Sequence, residues 1–174
     1  MEYASAFALA LSNDVSRSQA LAKDLQRRFP EDTSVRFNYV PALQALFALD
    51  QNDPKKAVEL LELNVPYELA LPGSDFFAFF GGLYPVYVRG QAFLAEHRGI
   101  EAVAEFQKIL DHPGIVFADP IAAMARLQRA RALRLAGEKA KARAAYKDLL
   151  ALWKSADPGI PVLRQAQAEY ARLQ

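Results

Sequence analysis

The chain has 174 residues, 52% hydrophobic and 24% charged, with a formal net charge of +1. This suits one globular domain or short repeat array with its own core, and argues against a disordered chain or a dedicated polyanion binder. No cysteine is present, which excludes disulfides, zinc–thiolate sites and thiol nucleophiles. No apolar run reaches the roughly 18 residues of a membrane span, and the start at Met1-Glu2 lacks the basic region of a signal peptide.

Helix formers dominate, and Val, Ile and Phe recur at helical spacing rather than in alternation. Nine helical segments are predicted, near 2–12, 14–29, 34–50, 54–64, 83–97, 99–112, 120–136, 138–155 and 161–173. Pro41 falls inside an apolar helical pattern, so a kink or a late helix start is expected there. Asp53-Pro54 and Asp119-Pro120 each place a carboxylate at an N-cap and a proline at the first helical position. Pro113-Gly114 and Gly137 are stop signals. The last segment carries Leu163, Ala166, Tyr170 and Leu173 on one stripe and polar residues on the other, as a capping helix does. Trp153, one turn beyond Leu149 and Leu150, is expected to pack on it.

A repeat emerges when Ala20, Ala57, Ala102 and Ala142 are aligned as the small residue of a second helix. Twelve residues before them lie Ala8, Ala45, Gly90 and Ala130, all small, on a first helix. Three beyond those lie Leu11, Ala48, Phe93 and Leu133, and four beyond the anchors lie Asp24, Leu61, Phe106 and Tyr146. The anchor spacings are 37, 45 and 40 residues (20 to 57, 57 to 102, 102 to 142). This pattern resembles the tetratricopeptide repeat, an antiparallel helix pair of about 34 residues. The resemblance implies an all-α fold: a TPR-like right-handed α-solenoid of about four antiparallel helix pairs plus a C-terminal capping helix. One domain, 1–174, is expected, with pairs near 2–29, 34–64, 83–112 and 120–155, an insertion at 65–82 and the cap at 161–173.

The stretches PYELALPGSDFF, LYPVYVRGQAFL, EFQKILDHPGIV, DPIAAMARLQRARALRLAGEKAKARAAYKDLLALW and KSADPGIPVLRQAQAEYARL, with DPKKAVELLE before them, carry a further likeness. They resemble the C-terminal repeat region of large bacterial multidomain Ser/Thr protein kinases, also attached to some winged-helix regulators. Arg129 and Leu133 depart from that pattern, which usually shows Leu and Tyr. The resemblance implies the interaction or sensory part of a larger bacterial signalling protein, cytoplasmic or on the extracytoplasmic side of a membrane-anchored parent. It also implies a fragment, because kinase loops and Asp-Phe-Gly are missing from the chain.

No catalytic, cofactor-binding or metal-binding residue is predicted. His97 and His112 stand near helix C-termini without a nucleophile or metal spacing, and no Walker, dinucleotide or His-Glu-x-x-His motif occurs. Phe76, Phe77, Phe79 and Phe80 form the densest aromatic cluster. It either plugs the gap between the second and third pairs or, as an insertion at 74–82, mediates self-association into a homo-oligomer. Between Arg126 and Lys147 eight basic residues face one acid, Glu138. That is a solvated face or a docking surface for an acidic partner. Nucleic-acid binding is not supported, since the charge is confined to one pair. The first helix of each pair lines the concave face of such a solenoid. Tyr39, Ala42 and Leu46, then Tyr84, Tyr87 and Gln91, then Arg131 and Arg134 are the inward positions. Tyr39, Tyr84, Tyr87, Gln91, Arg131 and Arg134 are the candidate partner-binding residues, for a protein or peptide that carries acidic groups.

Overall fold

A computed structural model describes residues 2–70, 82–116 and 119–173, and among these residues all regular structure is helical. The helices are α1 (Glu2–Leu11), α2 (Val15–Arg28), α3 (Val40–Asp50), α4 (Pro54–Leu61), α5 (Tyr84–Ala95), α6 (Gly99–Asp111), α7 (Pro113–Val116), α8 (Ile121–Leu135), α9 (Lys139–Leu152) and α10 (Pro161–Ala171). None of them is long and apolar enough to cross a membrane. The one unexpected helix is α7, a single turn at Pro113-Gly114. The pair does stop α6, but His112 then serves as the carbonyl acceptor for Ile115 and Val116.

Four helix pairs, α1/α2, α3/α4, α5/α6 and α8/α9, are joined by one recurring turn. Asn13, Asn52, His97 and Gly137 have φ of 68°, 59°, 59° and 81°. The N–H of the next residue reaches back in each case, from Asp14 to Leu9, Asp53 to Ala48, Arg98 to Phe93 and Glu138 to Leu133, at 2.8–2.9 Å. This left-handed residue and its six-to-one hydrogen bond satisfy the orphan carbonyls of the first helix. Asp14 and Asp53 then cap the second helix, accepting from the N–H of Arg17 and Lys56. The pair of Arg28 with Glu2 ties the end of α2 to the start of α1.

The turn corrects the register of the first pair. Ala8 and Ala20 are exposed, whereas Ala6 and Ser18 are fully buried, and the Ser18 hydroxyl donates to the Ala6 carbonyl at 2.7 Å. Ala6 and Ser18 are the small residues in contact, two positions earlier than the alanine pattern implies. Ala22, not Asp24, is then the buried residue one turn on. In the other pairs the expected residues are buried: Ala45, Ala57, Ala102, Ala130 and Ala142 are 0% exposed. A Cβ on Gly90 would stand 2.7 Å from the Phe106 ring. Ala102→Leu and Ala142→Leu are each expected to lower the unfolding free energy by about 1–3 kcal/mol by overpacking. Urea titrations with midpoints equal to wild type would refute the close contact.

Pro41 produces a local widening rather than a break. Residues 35–39 form a π turn ahead of α3. Proline offers no N–H to the carbonyl four residues back, and that carbonyl, of Phe37, instead accepts from the Asn64 side chain at 2.8 Å. Asn64 belongs to a 3₁₀ segment, Glu62–Tyr67, that extends α4 and carries the chain into the predicted insertion. The tyrosine closing that segment, Tyr67, stacks on Phe37 at 4.5 Å. Three apolar clusters succeed one another: α1–α4 with Val88 and Ala92 of α5, then α5–α8, then α8–α10. Val58, Tyr84 and Val103 each border two of them. Trp153 packs on the last cluster together with Ala166 and Tyr170.

Candidate partner-binding face

With the register set, each candidate has a repeat position. Counted from the small residue of the first helix, Tyr39 and Tyr84 stand six before, Tyr87 three before, Gln91 and Arg131 one after, and Arg134 four after. Those offsets form one helical stripe. Phe7 and Leu46 share the position of Gln91 and Arg131, so the stripe runs from apolar in the first two pairs to polar and cationic in the last two.

Not all of the stripe is open. Tyr39 is half-buried and stacks on Tyr3 at 4.0 Å. Phe7 meets the Tyr84 ring edge-on at 4.6 Å, so the first pair reaches across to the third. The Tyr84 hydroxyl donates to Asp119 at 2.9 Å, and the same carboxylate oxygen accepts from the Ile121 N–H at the start of α8. Burial, then the Asp119 charge, push the Tyr84 phenol well above its usual range. Tyr87 is a correction: it is 5% exposed, T-packed on Phe106, and its hydroxyl accepts from the Gln128 side chain. It supports the stripe from beneath and offers no contact surface. Gln91 is half-exposed and Arg134 exposed.

Arg131 is already engaged. Its Nε and Nη2 donate to the Glu169 carboxylate of α10 at 2.6–3.1 Å, and it also reaches Gln128 and Gln165. Tyr146 donates to Glu169 at 2.6 Å. Burial works to raise the Glu169 carboxyl, but hydrogen bonds from Arg131 and Tyr146 and the nearby positive charges hold it below the ordinary value. The guanidinium predicted to grip a partner's carboxylate therefore grips one supplied by the capping helix. Arg134 makes no ion pair among the described residues.

A second charged group escaped sequence reading. Arg89, directly before Gly90, is 5% exposed, and its Nη2 donates to both Glu68 and Glu105 at 2.6 Å. Lys108 donates to the other Glu68 oxygen at 2.7 Å. Glu68 lies in the predicted insertion, which is thus tied down at its start. Burial opposes ionisation of Glu68, but Lys108 and Arg89 hold its carboxyl below the ordinary value. An arginine beside the small contact residue, with Glu105 and Lys108 one turn apart, was the available signal. Arg129 holds the same position in α8; it is half-buried, and among the described residues its Nε, like the Arg89 Nη1, is buried without a hydrogen-bond partner. Arg126 is exposed.

The histidines have local roles: His97 is the left-handed turn residue, and the His112 Nδ1 bonds the Lys108 carbonyl at 2.7 Å. Among the described residues no group of three acidic or histidine side chains could hold a metal. Phe76, Phe77, Phe79 and Phe80 lie outside the described residues. The chain matches no protein-family model, no curated protein and no solved structure.

Proposed function

We propose that this chain is a non-catalytic, TPR-like right-handed solenoid that binds a polypeptide along the first-helix stripe. The observation that supports it is the turn repeated in four successive pairs, each with buried small residues on both helices, followed by α10. Such an array presents the same stripe of each first helix in series, as one extended surface. The open part of the stripe, from Leu46 through Gln91 to Arg134, suits an extended segment with an apolar end and an acidic end. By the sequence resemblance described above, the chain is the interaction or sensory part of a larger bacterial signalling protein such as a Ser/Thr kinase.

A photo-cross-linking residue at Gln91 or Arg134 is expected to capture a polypeptide of discrete mass from an extract of the source cells. The same residue at Arg17, exposed on α2, is not. Arg134→Glu should reduce the Gln91 adduct severalfold. Equal adducts from all three positions would remove the stripe from the function.

Self-association is the second reading. Leu63, Val65, Tyr67 and Leu69 are 61%, 50%, 37% and 45% exposed, on the stretch leading toward the aromatic residues 74–82. Light scattering that gives a concentration-dependent dimer mass, lost in Leu63→Ser/Val65→Ser, would favour it.

A further inference from the structure

The two arginines at equivalent repeat positions are treated differently. Arg89 receives carboxylates from two sources: Glu105, three residues beyond the contact alanine of α6, and Glu68, from the segment after α4. In the next pair the residue equivalent to Glu105 is Ala145, three beyond Ala142. Among the described residues no carboxylate replaces it: Arg129 makes no ion pair and its Nε is buried without a partner, whereas Arg89, although its own Nη1 is also unpartnered, holds two carboxylates through Nη2. Arg126, one turn away on α8, is exposed and makes no ion pair among the described residues. Lys147 adds a third positive charge on α9, and Asp148, equivalent to Lys108, is the one acid nearby in sequence. Asp148 forms no ion pair with Arg129. Arg129 as a whole is only half-buried, and a carboxylate brought to the open side of its guanidinium would gain a charge-assisted hydrogen bond there.

We propose that Arg129, with Arg126, is a second binding site, for a Glu- or Asp-bearing polypeptide segment that delivers its carboxylate as Glu68 does to Arg89. This site rests on the reading of the chain as a polypeptide-binding array, but it lies on a different side of α8 from Arg131 and Arg134. Arg131 is filled internally by Glu169; Arg129 has no carboxylate partner among the described residues.

The test uses the full chain and a fluorescein-labelled hexaglutamate peptide, with hexaglutamine as control, followed by anisotropy at low ionic strength. Wild type is expected to bind hexaglutamate and not hexaglutamine. Arg129→Met should weaken binding by about tenfold or more, the value of a charge-assisted hydrogen bond. Ala145→Glu supplies internally the acid that Glu105 gives Arg89. It should abolish probe binding with an unchanged helical circular dichroism spectrum, and separates occupancy of the site from loss of fold. Arg134→Glu should leave most of the binding intact. Undiminished binding in both Arg129→Met and Ala145→Glu overturns the proposal. If Arg134→Glu alone then abolishes binding, the first-helix stripe survives and this second site does not. No binding by wild type overturns the second site, while the cross-linking result at Gln91 still decides the stripe.

Discussion

Gly99→Val is expected to lower the unfolding free energy by about 3 kcal/mol, at the upper end of typical overpacking costs. Gly99 opens α6 at the point where that helix meets the end of α8. A Cβ there would lie 2.6 Å from the Ala136 nitrogen, 2.9 Å from the Ala132 oxygen and 3.0 Å from the Ala136 Cα. All three are backbone atoms, so no rotamer change relieves the clash; α6 and α8 must separate. The second and third clusters meet around these helices through Val103, so the separation loosens both. Gly114 is the control, because a Cβ there meets nothing within 4 Å. Gly114→Ala should be neutral or slightly stabilising, through the smaller entropy of its unfolded chain. Equal urea midpoints for Gly99→Val and wild type would mean that the α6–α8 approach is not this close.

The helices were legible because their signals are local. Asp53 caps α4 ahead of Pro54 as its chemistry dictates, Asp119 accepts from the Ile121 N–H although α8 starts one residue later than expected, and Gly137 terminates α8 in the left-handed conformation only glycine adopts freely. Three other turns of the same shape went unread because Asn13, Asn52 and His97 stand in place of glycine. The Asn-Asp dipeptides at 13–14 and 52–53 stand in the sequence, and aligning them, rather than the alanines, gives the observed first register. Alanine misled there: it is so frequent that Ala8 and Ala20 fit the twelve-residue spacing as well as Ala6 and Ser18 do. The π turn before Pro41 was half legible, since proline predicts a disturbance but not that Asn64 takes the freed carbonyl. The candidate face was legible as a stripe and illegible in its occupancy. Whether Tyr84 is open depends on Phe7, two pairs away, and whether Arg131 is free depends on Glu169 of α10. Helical periodicity contains neither fact. The Arg89 cluster depends on Glu68, whose conformation follows no periodic rule.

Arg89→Met should be the most damaging single change outside the apolar core, costing about 3–5 kcal/mol. The Arg89, Glu68 and Glu105 side chains are 6%, 9% and 12% exposed. Removing the guanidinium leaves two buried carboxylates sharing only Lys108, at 2.7 Å and 3.7 Å. The pH dependence identifies charge, rather than lost packing, as the cause. In wild type the folded Glu68 carboxyl lies below its unfolded value. Its contribution is therefore fully present above the unfolded value, about 4.3, and is lost as pH falls through the lowered folded value. In Arg89→Met burial is opposed by Lys108 alone, so the folded carboxyl rises from its wild-type value. The variant then draws less stability than wild type from ionisation of Glu68. The gap between the two proteins should therefore narrow as pH falls through the carboxylate range. Adding Glu68→Gln and Glu105→Leu to Arg89→Met removes the stranded charges and should restore much of the loss at pH 7. A gap constant with pH, together with no recovery in the triple variant, would assign the cost to the missing side-chain volume. The tether of the Glu68 segment to α5 and α6 would then be a matter of packing.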